Sequence, residues 1–563
     1  MSSAPARWTA AQTARTLVLV AVAAMLVAWA CTNHAHRLAR GAGRTGSRGR
    51  RCHTLDVDDR GRKGGGVETS GAPAATGADN GAATRWTGAW RAAIVALVTA
   101  GVALRVVFLR GRWGTFDSDE AIVGLMARSF LEGEWRAFYW GQHYGGTLET
   151  ALVALAGAST TELKLVPAAL SGVVAILTWR VARRVLDDRL AQAAGLLCWV
   201  APGSYVWWST KERGFYWVSL SLGLALLLTA QRLVAGPQGR AARWWPWLDG
   251  TAFGLVAGLG FWTSPNVLYF AVPACAWLLL HRPAGLRWLA AAVPAAVLGA
   301  LPWLWHNVES DWLSLQRPEQ GGDTGYLDAL GLVLWRSVPM VMNLRYPISQ
   351  HWLVEDVAPI GYVAIAVLLV VAVVRRQERP ALPLLGLAAF PFIYAWFPGA
   401  GFVGEGRYAV FAVPFLALVI AWLVRHPSAV LVLAAGSAVL SFVVVQPMGP
   451  ERPRHLTADL AALRAAGIDT AWGDYWVSYR VAFASGGWLE AASWGSPRGD
   501  DLRAAALADP TPAFIFRKHE AQELLMLERV LDRPSRRVET EHFRVLLVDG
   551  SVDPAGLPPG VVP

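Results

Sequence analysis

From Trp90 onward the chain alternates long apolar runs with short polar breaks. Eleven runs, near 90–109, 162–182, 189–208, 214–234, 247–263, 265–281, 286–305, 358–375, 380–398, 407–424 and 428–446, approach the length a helix needs to cross a bilayer, about twenty apolar residues. The breaks differ in charge. "RVARRVLDDR", "GPQGRAAR", "HRPAGLR", "VRRQERP" and "VRHPS" are short and basic, whereas "STKERGF", "TSPN" and "PGAGFVGEG" are small, polar or acidic. Basic loops stay cytoplasmic, so the pattern predicts that the first set faces inward and the second outward. Residues 110–161, 306–357 and 447–563 then lie outside, and the stretch before Trp90 lies inside.

The texture changes near residue 450. Apolar runs shorten, charges return, and helical stretches (Leu456–Ala466, Glu520–Leu531) alternate with the strand-like runs "AFIFR" and "FRVLLVDG". A tail of this length can form a small α/β domain. The expected fold class is therefore an α-helical polytopic membrane protein with a small C-terminal extracytoplasmic α/β domain. Its parts are a basic extension over 1–87, a transmembrane core over 88–450 and the tail domain over 451–563. The short apolar segment Thr16–Ala30 reads equally as a signal-like core, a further crossing that would make twelve, or the product of a start codon placed too far upstream.

Composition agrees with a membrane protein: 54% of residues are hydrophobic and only 16% charged, above the apolar share of soluble domains. The net charge of +10 does not point to nucleic acid. Residues 1–88 carry 12 Lys/Arg against 5 Asp/Glu, and the remainder, 39 against 36, is nearly balanced. The basic excess sits in a Gly/Ala/Arg-rich stretch without apolar periodicity, which predicts disorder. Cys31 and Cys52 lie in or beside that stretch and Cys198 and Cys275 inside apolar runs, so no disulfide framework is indicated.

The candidate chemistry is concentrated in "FDSDEAIVGLMARSFLEGEWRAFYWGQHYGG", Phe116 to Gly146. Asp117, Asp119 and Glu120 follow the first run directly. Ile122, Leu125, Met126 and Phe130 then recur at helical spacing, so Asp117 or Ser118 can cap a helix that mounts the other acids. A hydrated loop is the plain alternative. Trp135, Phe138, Tyr139, Trp140 and Tyr144 crowd beside Gln142 and His143; such rings suit an interfacial belt and, next to carboxylates, a carbohydrate.

These residues carry a resemblance. One crossing followed by "DSDEAIVGLMARSFLEGEW" resembles the GT-C membrane glycosyltransferases, in particular the protein O-mannosyltransferase-like and aminoarabinose-transferase-like (family 39-like) branch. "LKLVPAALSGVVAILTWRVARRVLDDRLAQAAGLL" is similar to the second and third helices of that branch, and "GEGRYAVFAVPFLAL" to its late Arg-Tyr helix start. The resemblance covers roughly 88–450. It implies a sugar donor linked to polyprenyl phosphate, an acceptor hydroxyl on an envelope glycan, lipid or protein, and inversion assisted by an ionised carboxylate. Asp119 aligns best with the base, Glu120 with its neighbour, and Asp117 is the reserve.

The resemblance leads one to expect phosphate-binding cations in other outer loops: Lys211, Arg213 and Arg407, whose ordinary role would be snorkelling to headgroups. His143, Tyr144, Glu149 and Glu212 are candidate substrate contacts, the two glutamates reading more readily as structural pairs. Arg345 could touch substrate, and His351 reads as an ordinary surface residue. No metal-ligand spacing is present; some oligosaccharyl members use a divalent ion, the nearer branch does not, and no cofactor is expected. "GAGFVG" (399–404) matches a dinucleotide pattern without the strand-before, helix-after context that gives it meaning. Trp472, Tyr475, Trp476 and Tyr479 read as the tail domain's core, with an acceptor wall as the alternative. A bacterial-type plasma membrane location follows, with no nucleic-acid partner. The rival functions are a transporter of lipid-linked sugars, disfavoured by the lack of an internal repeat, and a non-catalytic scaffold.

Overall fold

The structure, a computed structural model, describes residues 78–111, 114–236, 245–316, 324–376, 379–397, 406–445, 455–558 and 561. The segment Thr16–Ala30, Cys31, Cys52 and the turn 399–404 lie outside the described residues.

All eleven apolar runs are helical, but they are not eleven uninterrupted spans. Among the described residues five helices are long and apolar enough to cross a membrane: Gly88–Arg110, Glu162–Ala182, Tyr216–Ala235, Ala358–Arg375 and Pro427–Val444. The protein is thus a multi-pass membrane protein. The run 286–305 is split into Leu289–Gly299 and Leu301–Glu309, bent by 55°, with Pro302 in the first turn of the second piece. The run 189–208 breaks after Val200, because a residue before proline is pushed to extended backbone. Ala201 (φ −143°, ψ 156°) obeys that rule, and the helix restarts as Gly203–Trp208. Pro265–His281, Ala381–Trp396 and Ala409–Val424 are shorter apolar helices. Trp245–Thr263 has a stripe of small residues, Gly250, Gly254 and Gly258, against the backbone of Trp288, Ala292 and Ala296. A Cβ at Gly254 would stand 1.9 Å from the Ala292 carbonyl oxygen, so this close helix pair requires glycine there.

Residues 455–558 hold a five-stranded sheet of order β2-β1-β3-β5-β4, made of β1 (Thr470–Gly473), β2 (Glu490–Ser493), β3 (Ala513–Arg517), β4 (Ser535–Glu539) and β5 (Phe543–Val548). β1 pairs in parallel with β2 and β3, and β5 is antiparallel to β3 and β4. Four consecutive buried residues in β3, Ala513 to Phe516, show that both faces are covered. Ala513, Ile515 and Val545 pack on one face with Val477 and Val481; Trp472, Phe514, Phe516 and Leu546 pack on the other.

The helix Tyr475–Ser485 joins this layer to the rest. Val477 and Val481 face the sheet, while Tyr479 and Phe483, on the opposite side of the helix, enter a cluster with Ala121, Ile122, Met126 and Ala127 of Ser118–Leu131. Arg128 donates to the Phe483 carbonyl at 3.1 Å and lies over its ring. The sheet layer is thereby docked on the helix that carries the acids.

Candidate active site

The acids are mounted by local sequence. Asp117 is the N-cap (φ −113°, ψ −177°) of Ser118–Leu131 and forms a capping box with Glu120. The Glu120 amide donates to Asp117 Oδ1 and the Asp117 amide to Glu120 Oε2, both at 3.2 Å. This satisfies two otherwise unpaired amides and places negative charge at a helix N-terminus, where it is favoured. Successive helix residues are rotated by about 100°, so Asp119 projects differently from Glu120.

That rotation separates three neighbouring carboxylates into different environments. Glu120 is fully buried. It accepts from Lys164 through Oε1 and from Lys211 at 3.0 Å through Oε2, and the Glu212 amide reaches Oε1 at 3.3 Å. Asp117, 5% exposed, takes a two-pronged bond from Arg213 at 2.8 and 2.9 Å and a longer one from Lys211 at 3.4 Å. Lys211 also donates to the Thr115 carbonyl at 2.7 Å.

Asp119 is 18% exposed and is the carboxylate of the three that a substrate can reach. Its Oδ2 lies 3.6 Å from Arg213 Nε and 3.8 Å from Arg407 Nη2, too far for direct hydrogen bonds. Arg213 Nε is buried without a hydrogen bond. Both guanidiniums lie against the Trp208 ring, 4.8 and 5.5 Å from its centroid, which holds two cations side by side despite their repulsion. Burial works against the Arg213 charge, but Asp117 and Asp119 outweigh it and raise its pKa well above the ordinary value. Tyr139 donates to the Asp119 carbonyl at 3.0 Å, and Tyr475, from the sheet layer, donates to Asp119 Oδ1 at 2.5 Å.

Glu149 and Glu212 form a second, fully buried pair behind this network. Glu149 Oε2 accepts from the Trp217 and Val218 amides at 2.9 Å, at the start of Tyr216–Ala235, and Glu212 Oε1 accepts from the Gly214 amide at 2.7 Å. Their remaining oxygens are buried without donors and satisfy each other only by sharing a proton. Burial first, and then Glu149, pushes the Glu212 pKa well above the carboxylate range. A folded-state pKa above the unfolded value gives stability that is present below the unfolded pKa and lost as pH rises through the folded one. Wild-type melting temperature should therefore fall as pH rises above about 4.5. Glu212→Gln, which keeps a donor and cannot ionise, should flatten that fall; parallel curves for the two proteins in a pH series of thermal melts would refute the shared proton.

The other candidates are placed as follows. His143 Nδ1 meets Nε2 of His306 at 3.1 Å, tying the aromatic loop to Leu301–Glu309. Tyr144 is 37% exposed and rests edge-on against Phe215. Burial and Tyr408 push its pKa up to about 12, while Arg498 and Arg407 pull it down. Arg345 stacks on Trp352, and His351 lies 3.7 Å from Glu355; both contacts stay inside their own loop. Among the described residues, no group of three or more His, Cys, Asp and Glu side chains is arranged to hold a metal.

Four further residues of the site escaped the sequence reading as contributors to it. Lys164, in the first turn of a spanning helix, was signalled by a lysine at the start of an apolar run. Trp208 and His306 carry no local signal that separates them from other aromatic positions. Tyr475 appeared only as a core or wall residue.

No family model matches the sequence, and no curated protein does. Solved structures do. The crystal structure of ArnT, an aminoarabinose transferase, from Cupriavidus metallidurans bound to undecaprenyl phosphate aligns at TM-score 0.53 and 14% identity, over 81% of this chain and 97% of that one. Its apo state aligns at TM-score 0.55 and 14% identity, over 83% and 98%. ArnT is a GT-C glycosyltransferase, and this chain shares its fold. Archaeal oligosaccharyltransferase AglB from Archaeoglobus fulgidus, a second GT-C protein, is a more distant match at TM-score 0.43 and 13% identity, over 84% of this chain and 75% of that one. In this chain the acids at the start of Ser118–Leu131 meet Lys211 and Arg213 from the turn before Tyr216–Ala235 and Arg407 from the start of the Ala409–Val424 segment.

Proposed function

We propose that the chain is a membrane glycosyltransferase that moves a sugar from a polyprenyl-phosphate donor to an acceptor hydroxyl, with inversion and with Asp119 as general base. One observation carries the reading: of three adjacent acids only Asp119 is accessible, and its carboxylate stands beside two arginines held on one tryptophan ring. The fold shared with an enzyme solved with undecaprenyl phosphate supports the choice of donor.

The chemistry follows from the geometry. Arg407 and the unused Nε of Arg213 hold the donor phosphate, Arg offering a planar fork that matches phosphate oxygens. The acceptor oxygen, hydrogen-bonded to Asp119, attacks the anomeric carbon while the bond from that carbon to the phosphate oxygen breaks. Asp119 takes the acceptor proton, and the phosphate leaves with the bonding electrons, its charge neutralised by the arginines. Asp117 and Glu120 do not exchange protons with substrate. They neutralise Lys164, Lys211 and Arg213, and so fix the loop that carries the phosphate-binding cations. Tyr144 and the neighbouring rings receive the sugar. By the charge bias of its loops, this site and the sheet layer face the non-cytoplasmic side of a bacterial-type plasma membrane, where lipid-linked sugars serve in place of nucleotide sugars. The acceptor is an envelope glycan, lipid or protein.

Mass spectrometry of envelope glycans, lipids and proteins tests this reading. A sugar mass present in cells with the wild-type chain should be missing both from cells without it and from cells carrying Asp119→Asn. Identical envelopes in all three strains would reject glycosyl transfer.

A further inference from the structure

A general base works on the hydroxyl it holds at about 2.6–3.2 Å. In Asp119 the two oxygens are differently engaged. Oδ2 faces Arg213 and Arg407, the cations assigned to the phosphate. Oδ1 is the oxygen left for an acceptor, and it is occupied by the Tyr475 hydroxyl at 2.5 Å.

Tyr475 comes from the sheet layer, 356 positions along the chain from Asp119, and is the first residue of Tyr475–Ser485, whose start has no side-chain cap. Its ring is held edge-on by Trp476 and Tyr479, at 5.1 and 5.5 Å. The contact is not needed to dock the layer, since Tyr479, Phe483 and Arg128 already do that. Burial, and then the charge of Asp119, hold the phenol pKa well above its ordinary value, so it stays protonated and is a weak nucleophile.

We propose that the Tyr475 hydroxyl occupies the acceptor-oxygen position of the Asp119 site and keeps water out of it until an acceptor hydroxyl displaces the phenol. The proposal rests on the glycosyl-transfer reading and adds a gate supplied by the C-terminal layer. Without the gate, water hydrogen-bonded to Asp119 would attack the anomeric carbon. A new carbon–oxygen bond would form, the bond to the phosphate oxygen would break, one water proton would pass to Asp119, and free sugar and polyprenyl phosphate would result. A hydrogen bond to an ionised group contributes enough that losing it changes the occupancy of the position by about 10- to 100-fold.

Tyr475→Phe removes the hydroxyl and keeps the ring packing, which a thermal melt within a few degrees of wild type would verify. The full chain in proteoliposomes is given undecaprenyl-phosphate-linked mannose, glucose, galactose or arabinose, one at a time, each labelled in the sugar and without acceptor. The expected result is free labelled sugar released about 10- to 100-fold faster by Tyr475→Phe than by wild type, with release abolished in Tyr475→Phe/Asp119→Asn. Release equal to wild type would overturn the gate. So would reduced transfer without release, which would mark Tyr475 as a residue that merely positions Asp119, or a sugar found on Tyr475 in the wild-type chain. Fast release that persists in the double variant would instead remove Asp119 as the base while leaving cleavage of the donor in place.

Discussion

If the chain works as proposed, Asp119→Asn should fold, insert and bind undecaprenyl phosphate, yet transfer sugar about 10²- to 10⁴-fold more slowly than wild type, the loss expected when a general base is removed. The fold is expected to survive because Asp119 is the least committed of the three acids. It is partly exposed, its ion pairs are loose, and an asparagine Oδ1 still accepts the Tyr475 hydroxyl. Lipid-phosphate binding should be unchanged or tighter, since the substitution removes a negative charge facing Arg213 and Arg407. This separates a base from a phosphate ligand or a structural acid. Titration of the purified variant with undecaprenyl phosphate, followed by tryptophan fluorescence, would report the first quantity, and single-turnover sugar transfer the second. Transfer at the wild-type rate, or weakened lipid-phosphate binding with normal turnover, would remove Asp119 from the role assigned to it.

The parts of this site that were legible in the sequence are the local ones. The capping box of Asp117 and Glu120 and the helix behind it are written in a few adjacent residues, because capping and helical spacing depend only on near neighbours. The division of labour among the acids is not local. It depends on which carboxylate meets Lys164, Lys211, Arg213 or Arg407, residues that lie 44 to 96 positions away for the pairs with Glu120 and Asp117 and farther still for Arg407. Lys211, Arg213 and Arg407 stand out as cations on outer loops, but their order of commitment does not. Lys211 and the Arg213 fork are spent on buried acids, which leaves Arg407 and a single Arg213 nitrogen facing Asp119. Helix breaks were hidden for a similar reason. Ala201–Pro202 and Leu301–Pro302 sit inside continuous apolar runs, where a hydropathy window sees no interruption although the backbone does. The tail's strands were visible as short apolar runs, whereas the reach of Tyr475 into the acid site depends on tertiary docking through Phe483 and Arg128.

Glu120→Ala should act on the same motif with the opposite signature, losing folded protein before it loses chemistry. Glu120 is the buried counter-charge of two lysines, Lys164 and Lys211, and half of the capping box. Removing one partner from a buried ion pair leaves an uncompensated charge and costs about 3–5 kcal/mol, with about 1 kcal/mol more for the cap. That approaches the whole margin of many folded domains. The expected outcome is a collapse in monodisperse protein on size-exclusion chromatography and a melting temperature far below that of Asp119→Asn. Because the cause is a stranded cation and not a missing catalytic group, deleting one of the two lysines should relieve it: Glu120→Ala/Lys164→Met should recover a substantial part of the yield, and Glu120→Ala/Asp119→Asn none. If Glu120→Ala were as stable as wild type but inactive, the buried network would not be what holds the loop of Lys211 and Arg213, and Glu120 would have to be counted with Asp119 in the proposed reaction.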